Sequence, residues 1–353
     1  MRWPELAFVA LTALLGVTVA ACGPRRGAGA LPSGPGAATG EVWAENLVHP
    51  QATTILRAHL DSSGTGDVRV LTRAFYATHA DEYDFLYLLP ATLLSAKAAG
   101  RLVNASSEHR PWLNQPGPWH DAEFGSKGRL KAVIGLDAFP LANGPALHET
   151  FHHWGVFVDA KFGFGVGKGT MFGPHWGFAS VYGQLGGFQR ASLACQGGAP
   201  LPCAAGADGR VAFELGTSFG PFANGGDSIP YAPLELYLMG LADATEVPST
   251  LVLDDATLDG IANDRIRLSA SGTHEVTVAD LAARHGAVPK ATQTEFRAAF
   301  VVVSEEPLPR EKLAIAERWA RRLGGAIDDP PGLSFEKATG GRARMSLRVS
   351  PKP

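Results

Sequence analysis

Residues 146–155 read Ala-Leu-His-Glu-Thr-Phe-His-His-Trp-Gly, and no other stretch constrains the chain so tightly. On a helix, His148 and His152 lie one turn apart on one face, so both imidazoles can reach a single Zn²⁺ ion. Glu149 sits about 100° further round the helix. There it can hold and deprotonate a water at such an ion, without taking the place of a histidine. The neighbouring residues favour a helix. Leu147, Phe151, Trp154 and Val158 recur at three- and four-residue spacing and form an apolar stripe beside the histidine face. Gly144-Pro145 places a proline near the first turn, where its missing N–H costs least.

The N-terminal region points to export. Arg2 precedes an apolar run from Leu6 to Ala21, closed by Val19-Ala20-Ala21-Cys22. This predicts a signal peptide over 1–21; the run is too short to favour a spanning helix, which needs about 20 apolar residues. Val-Ala-Ala-Cys resembles the lipobox of bacterial lipoproteins, which implies that Cys22 is lipidated and heads the mature chain. Residues 22–40 are almost all Gly, Ala, Pro, Ser and Arg and have nothing to bury, so they read as a flexible tether. The expected location is the bacterial cell envelope, with the lipid as the membrane attachment.

Residues 41–350 hold ample chain for a core, as one domain or as lobes at 41–160 and 161–350. A formal net charge of −3, with no Lys/Arg cluster interleaved with aromatics, argues against nucleic acid as a partner. Besides Cys22, the only cysteines are Cys195 and Cys203. Close together in an exported chain, they predict a disulfide closing the Gly/Pro-rich loop 196–202. β-branched and aromatic content predicts strands at Val68–Thr78, Phe85–Leu89, Arg129–Leu136 and Phe296–Val303. Helices are expected at Pro233–Gly240, at Val276–His285 behind a Thr277/Asp280 capping box, and at Pro309–Leu323 with its Arg and Glu outside. Ser334–Val349 reads as a hairpin around Gly340-Gly341. Residues 163–190 are rich in glycine and aromatics, which suits backbone that must pass close to a helix and a metal.

A catalytic zinc site needs a third protein ligand and one open position. The motif helix, the strand before it and the segment to about Gly240 resemble the zincin metallopeptidases. His148-Glu149-x-x-His152-x-x-Gly155 is similar to the metzincin branch, whose third ligand falls three residues after the glycine. Here that residue is Val158, which cannot bind metal, and Asp159 is one position off. Two candidates remain. His175 lies in the glycine-rich segment beside Trp176, and it is the expected ligand. Glu235, the only charge in Leu234–Leu241, is the alternative and resembles the glutamate that gluzincins supply from a second helix. The resemblance implies a zincin-like α+β fold: a mixed sheet, the active-site helix and a second, mostly helical or irregular lobe. It implies an exported zinc peptidase acting on peptide or protein substrates, with Glu149 as general base and Arg129–Leu136 pairing with extended substrate by its edge. The alternative is a non-catalytic surface lipoprotein that keeps the fold as a binding or adhesion module. Tyr231 and Tyr237 are further candidates to donate to a transition-state oxyanion, against a packing role for each.

Overall fold

The computed structural model describes residues 43–46, 53–57, 68–91, 106–109, 121–136, 146–155, 160–216 and 219–350. The expected signal peptide, the tether, Cys22 and Val158 lie outside them. The first half contributes β1 (Trp43–Asn46), β2 (Thr53–Arg57), α1 (Val68–Thr78), β3 (Phe85–Pro90), β4 (Ser106–His109), α2 (Asp121–Phe124), β5 (Ala132–Gly135) and α3 (Ala146–Gly155). Next come β6 (Val166–Gly167), β7 (Thr170–Met171), β8 (Gly187–Phe188), β9 (Ala194–Cys195), β10 (Val211–Leu215), β11 (Phe219–Gly220) and α4 (Pro233–Leu238). Strands β12 (Thr250–Asp254), β13 (Thr257–Ala262), β14 (Arg265–Ala270) and β15 (Gly272–Val276) lead into α5 (Val278–His285). Last are β16 (Glu295–Ser304), α6 (Arg310–Leu323), α7 (Phe335–Ala338) and β17 (Arg344–Leu347). The fold is α+β.

Strand β16 is the spine of the main sheet. Its run Phe296–Val303 is almost wholly apolar, as expected of a strand covered on both faces. The sheet order is β1-β2-β16-β3-β5-β4, with β17 also on β16. The pairs β2–β16, β16–β3, β3–β5 and β16–β17 are parallel, whereas β1 and β4 run antiparallel to their neighbours. Because side chains alternate along a strand, Phe296, Ala298, Phe300 and Val302 enter one core, and Ala299, Val301 and Val303 the other. Helices α3 and α6 cover the first face, α1 and α2 the second. The expected lobes 41–160 and 161–350 share this sheet, since β16 and β17 complete what the first half begins.

Four sequence expectations need correction. Val68–Thr78 is a helix, not a strand. Its buried residues Leu71, Thr72, Phe75 and Tyr76 follow the helical period, and packing that face on the sheet outweighs the β preference of Val, Thr and aromatics. Arg129–Leu136 contains β5 but offers no free edge, because β3 pairs on one side and β4 on the other. Ser334–Val349 is no hairpin. Ser334 caps the short helix α7 through Lys337 N–H, and β17 then joins β16 in parallel. The stretch beyond 160, expected to be mostly helical or irregular, is dominated by short antiparallel pairs: β6–β7, β8–β11, β12–β15 and a sheet ordered β13-β14-β10-β9. Arg265-Ile-Arg-Leu-Ser-Ala alternates residue by residue between core and surface, the strand period.

Other expectations hold. Thr277 and Asp280 exchange hydrogen bonds across the first turn of α5. Cys195 and Cys203 form a disulfide with Cα atoms 5.3 Å apart, closing the loop beyond β9. Helix α6 carries its charges outward with one exception, Arg322, which is buried.

Candidate metal centre

Helix α3 is stable because its apolar stripe has a sheet to cover. Leu147, Phe151 and Trp154 pack in one core with Phe85, Tyr87 and Ile134, and all ten residues of the helix are buried. Side chains from elsewhere fix its first turn. Leu147 N–H donates to Asp227 Oδ1 at 2.8 Å, and the Leu147 carbonyl accepts from the Tyr231 hydroxyl at 2.8 Å. Asp227 is paired with buried Arg322 at 2.7 Å. Burial pushes the Asp227 carboxyl up to about 6, against the pull of Arg322 and of the Leu147 N–H. The Thr150 hydroxyl donates to the Ala146 carbonyl at 2.6 Å and accepts from Tyr87 at 2.7 Å. Gly155 serves packing: a Cβ there would lie 2.1 Å from the Phe151 ring.

Three histidines converge on the outer side of this helix. The ligand atoms of His148, His152 and His175 all lie within 4.8 Å of one another, and all three side chains are buried. His148 Nε2 is 3.2 Å from His152 Nε2 and 3.3 Å from His175 Nε2. Backbone carbonyls fix two of the rings: His148 Nδ1 donates to Gln184 O at 2.7 Å, and His175 Nδ1 to Phe172 O at 2.6 Å. A carbonyl can only accept, so each Nδ1 carries the proton and each Nε2 presents a lone pair. Burial lowers His148 to about 3, aided by nearby His175 and opposed by the Gln184 bond. Burial likewise lowers His175 to about 4, opposed by its bond to Phe172. Both rings are therefore neutral near pH 7, the form that binds a cation.

The spacing suits a metal. Two imidazole nitrogens bound at about 2.0–2.1 Å to a tetrahedral ion lie about 3.3 Å apart, and the cluster shows 3.2 and 3.3 Å. His148 and His175 turn their Nε2 lone pairs towards each other and towards the His152 ring, an arrangement that suits a shared cation. The group could hold a metal ion. Glu149, buried on the same helix, has Oε1 3.9 Å from His148 Nε2.

The glycine-rich segment delivers His175 as its composition suggested. Gly165 has φ +68°, and a Cβ on it would lie 2.5 Å from Gly173 O and 2.9 Å from His175 O. The Phe222 ring meets His175 edge-on at 5.4 Å. Glu235 does not join the cluster; its carboxylate is fully buried and accepts four N–H groups. His153 faces the sheet, against Phe85 and Trp154. Tyr231 is committed to the Leu147 carbonyl, and the Tyr237 hydroxyl accepts from Val288 N–H, so both serve structure. Sequence reasoning missed the carbonyls of Phe172 and Gln184, which carry no side-chain signal. It also missed Asp227 and Arg322, which no local pattern links to the helix they anchor. No protein-family model, curated protein or solved structure matches the chain, so what this centre does must be argued from its own geometry.

Proposed function

We propose that the protein is a zinc-dependent peptidase with a zincin-like fold, exported and held in the bacterial cell envelope by a lipid on Cys22. The observation that carries this reading is the convergence of His148, His152 and His175, with Glu149 beside them on one helix. On this reading the three histidines would hold the ion. Bound zinc supplies Lewis acidity at a scissile carbonyl and draws the pKa of water towards about 7. Glu149 takes the proton of the attacking water and delivers it to the leaving amine. His148 and His175 are kept in the ligating tautomer by Gln184 O and Phe172 O. An extended peptide pairs with β4, which ends the main sheet among the described residues and against which α3 packs. A purely structural zinc would need a fourth protein ligand. Glu235, the alternative ligand offered by the sequence, is occupied by four N–H donors, which favours the catalytic reading. The disulfide fits an oxidising compartment, and mass spectrometry of the mature N-terminus tests lipidation at Cys22.

The mechanism is tested by Glu149→Gln, with zinc content and cleavage of a broad peptide library as readouts. The amide keeps a hydrogen bond to water but cannot accept its proton. The variant should therefore retain zinc and lose roughly 10²–10⁴-fold in turnover. A zinc-loaded wild type that cleaves no member of the library would point instead to a non-catalytic binding module.

A further inference from the structure

We propose that Glu235 is the positioning residue of the metal centre, setting His148 and His175 together, and that position 183 is glycine in order to admit its carboxylate. The inference rests on the zinc reading above.

The carboxylate is wholly buried and sees donors only. Oε1 accepts from the Trp176 indole N–H at 2.8 Å and from Leu185 N–H at 3.0 Å. Oε2 accepts from Gln184 N–H at 2.9 Å and from Ala232 N–H at 2.8 Å. Four donors and no acceptor suit the ionised form. Burial raises the Glu235 pKa, and the four N–H groups draw it back, Leu185 most.

Two of these contacts lead straight to the ligands. The Gln184 carbonyl, which holds His148 Nδ1, and the Leu185 N–H, which donates to Glu235, belong to one peptide unit. That unit is planar and stiff, so fixing its N–H fixes the direction of its carbonyl and hence the His148 ring. The same chain of bonds, carboxylate to N–H and carbonyl to Nδ1–H, polarises in one sense and strengthens Nε2 as a donor to a cation. On the other side, Trp176 directly follows His175. Its indole is pinned by Glu235, and its backbone N–H donates to Leu185 O at 2.8 Å. One carboxylate thus holds both the support of the His148 ring and the residue that follows His175.

Gly183 supplies an independent observation. A Cβ built there would lie 2.3 Å from Cδ, Oε1 and Oε2 of Glu235. Its φ is not in the left-handed region, so the backbone would accept alanine. What excludes a side chain is the carboxylate.

The test compares Zn²⁺ affinity, the visible spectrum of the Co²⁺-substituted protein and metal-free melting in wild type, Glu235→Gln and Gly183→Ala. Leu71→Ala serves as a control in the core on the opposite sheet face. Glu235→Gln turns an NH₂ towards N–H donors, whereas Gly183→Ala keeps the carboxylate and displaces it. Each should weaken Zn²⁺ by about 10–100-fold and alter the Co²⁺ spectrum, and the double variant should lose less than the product of the two. Leu71→Ala should lower the melting temperature while leaving metal affinity and spectrum unchanged. Wild-type affinity and spectrum in both site variants would overturn the inference, as would an equal metal loss in Leu71→Ala. If Glu235→Gln does not fold, Gly183→Ala and Trp176→Phe, which removes one donor, decide it. A wild type without Zn²⁺ affinity would overturn the zinc reading itself.

Discussion

The two faces of the main sheet bury histidine in different ways. Under α1, His79 stacks flat on Phe75 at 4.3 Å between centroids, with Nδ1 3.1 Å from Phe75 O and 2.9 Å from the Thr78 hydroxyl. Under α3, His148 is just as buried and its Nδ1 is likewise held by a carbonyl, but its Nε2 meets two more imidazoles. Burial lowers the pKa on both faces. Neither burial nor a perturbed pKa therefore marks a site. Converging lone pairs do. Among the described residues, His148, His152 and His175 are the only group of three or more such side chains whose ligand atoms come together.

This contrast can be broken by substitution. The largest expected effect is on metal. His152→Ala should cost more zinc affinity than the about 10–100-fold typical of an outer partner, while His79→Gln should leave it unchanged; chelator competition measures both. Next is stability. Phe75 is fully buried, and Phe75→Ala should cost about 3–5 kcal/mol in urea unfolding, again without weakening zinc in the folded protein. The smallest effect is a pH slope. Burial depresses the His79 pKa in the folded state below its ordinary 6.5, opposed by the Phe75 carbonyl. As pH falls below that value, the unfolded chain takes up a proton that the folded ring refuses, so stability declines. His79→Gln should flatten the decline in stability measured between neutral pH and pH 5.

What the sequence revealed followed from short-range periodicity. His148 and His152 are one turn apart whatever surrounds them, and Cys195 and Cys203 lie close enough in sequence to pair. The apolar run of β16 reads as a strand, and the structure covers it on both faces. The place of His175 was legible because a glycine-rich segment can bring a histidine back against a helix, and the structure sets it beside His148 and His152. Val68–Thr78 misled because its residue types favour strand while its spacing fits helix, and the spacing decided once a sheet was there to pack against. The edge of β5 was misjudged because pairing by β4 is a tertiary fact with no local trace. The buried Asp227–Arg322 pair joins residues far apart in sequence, and the peptide linking Glu235 to His148 acts through backbone atoms alone.

The central claim is that His175 completes a zinc centre begun by the helix. Zinc content after reconstitution and dialysis, compared between wild type and His175→Ala, tests it most directly. The account predicts stoichiometric zinc in the wild type and its loss in the variant. A wild type without zinc, or a His175→Ala variant that holds it equally well, would contradict the account.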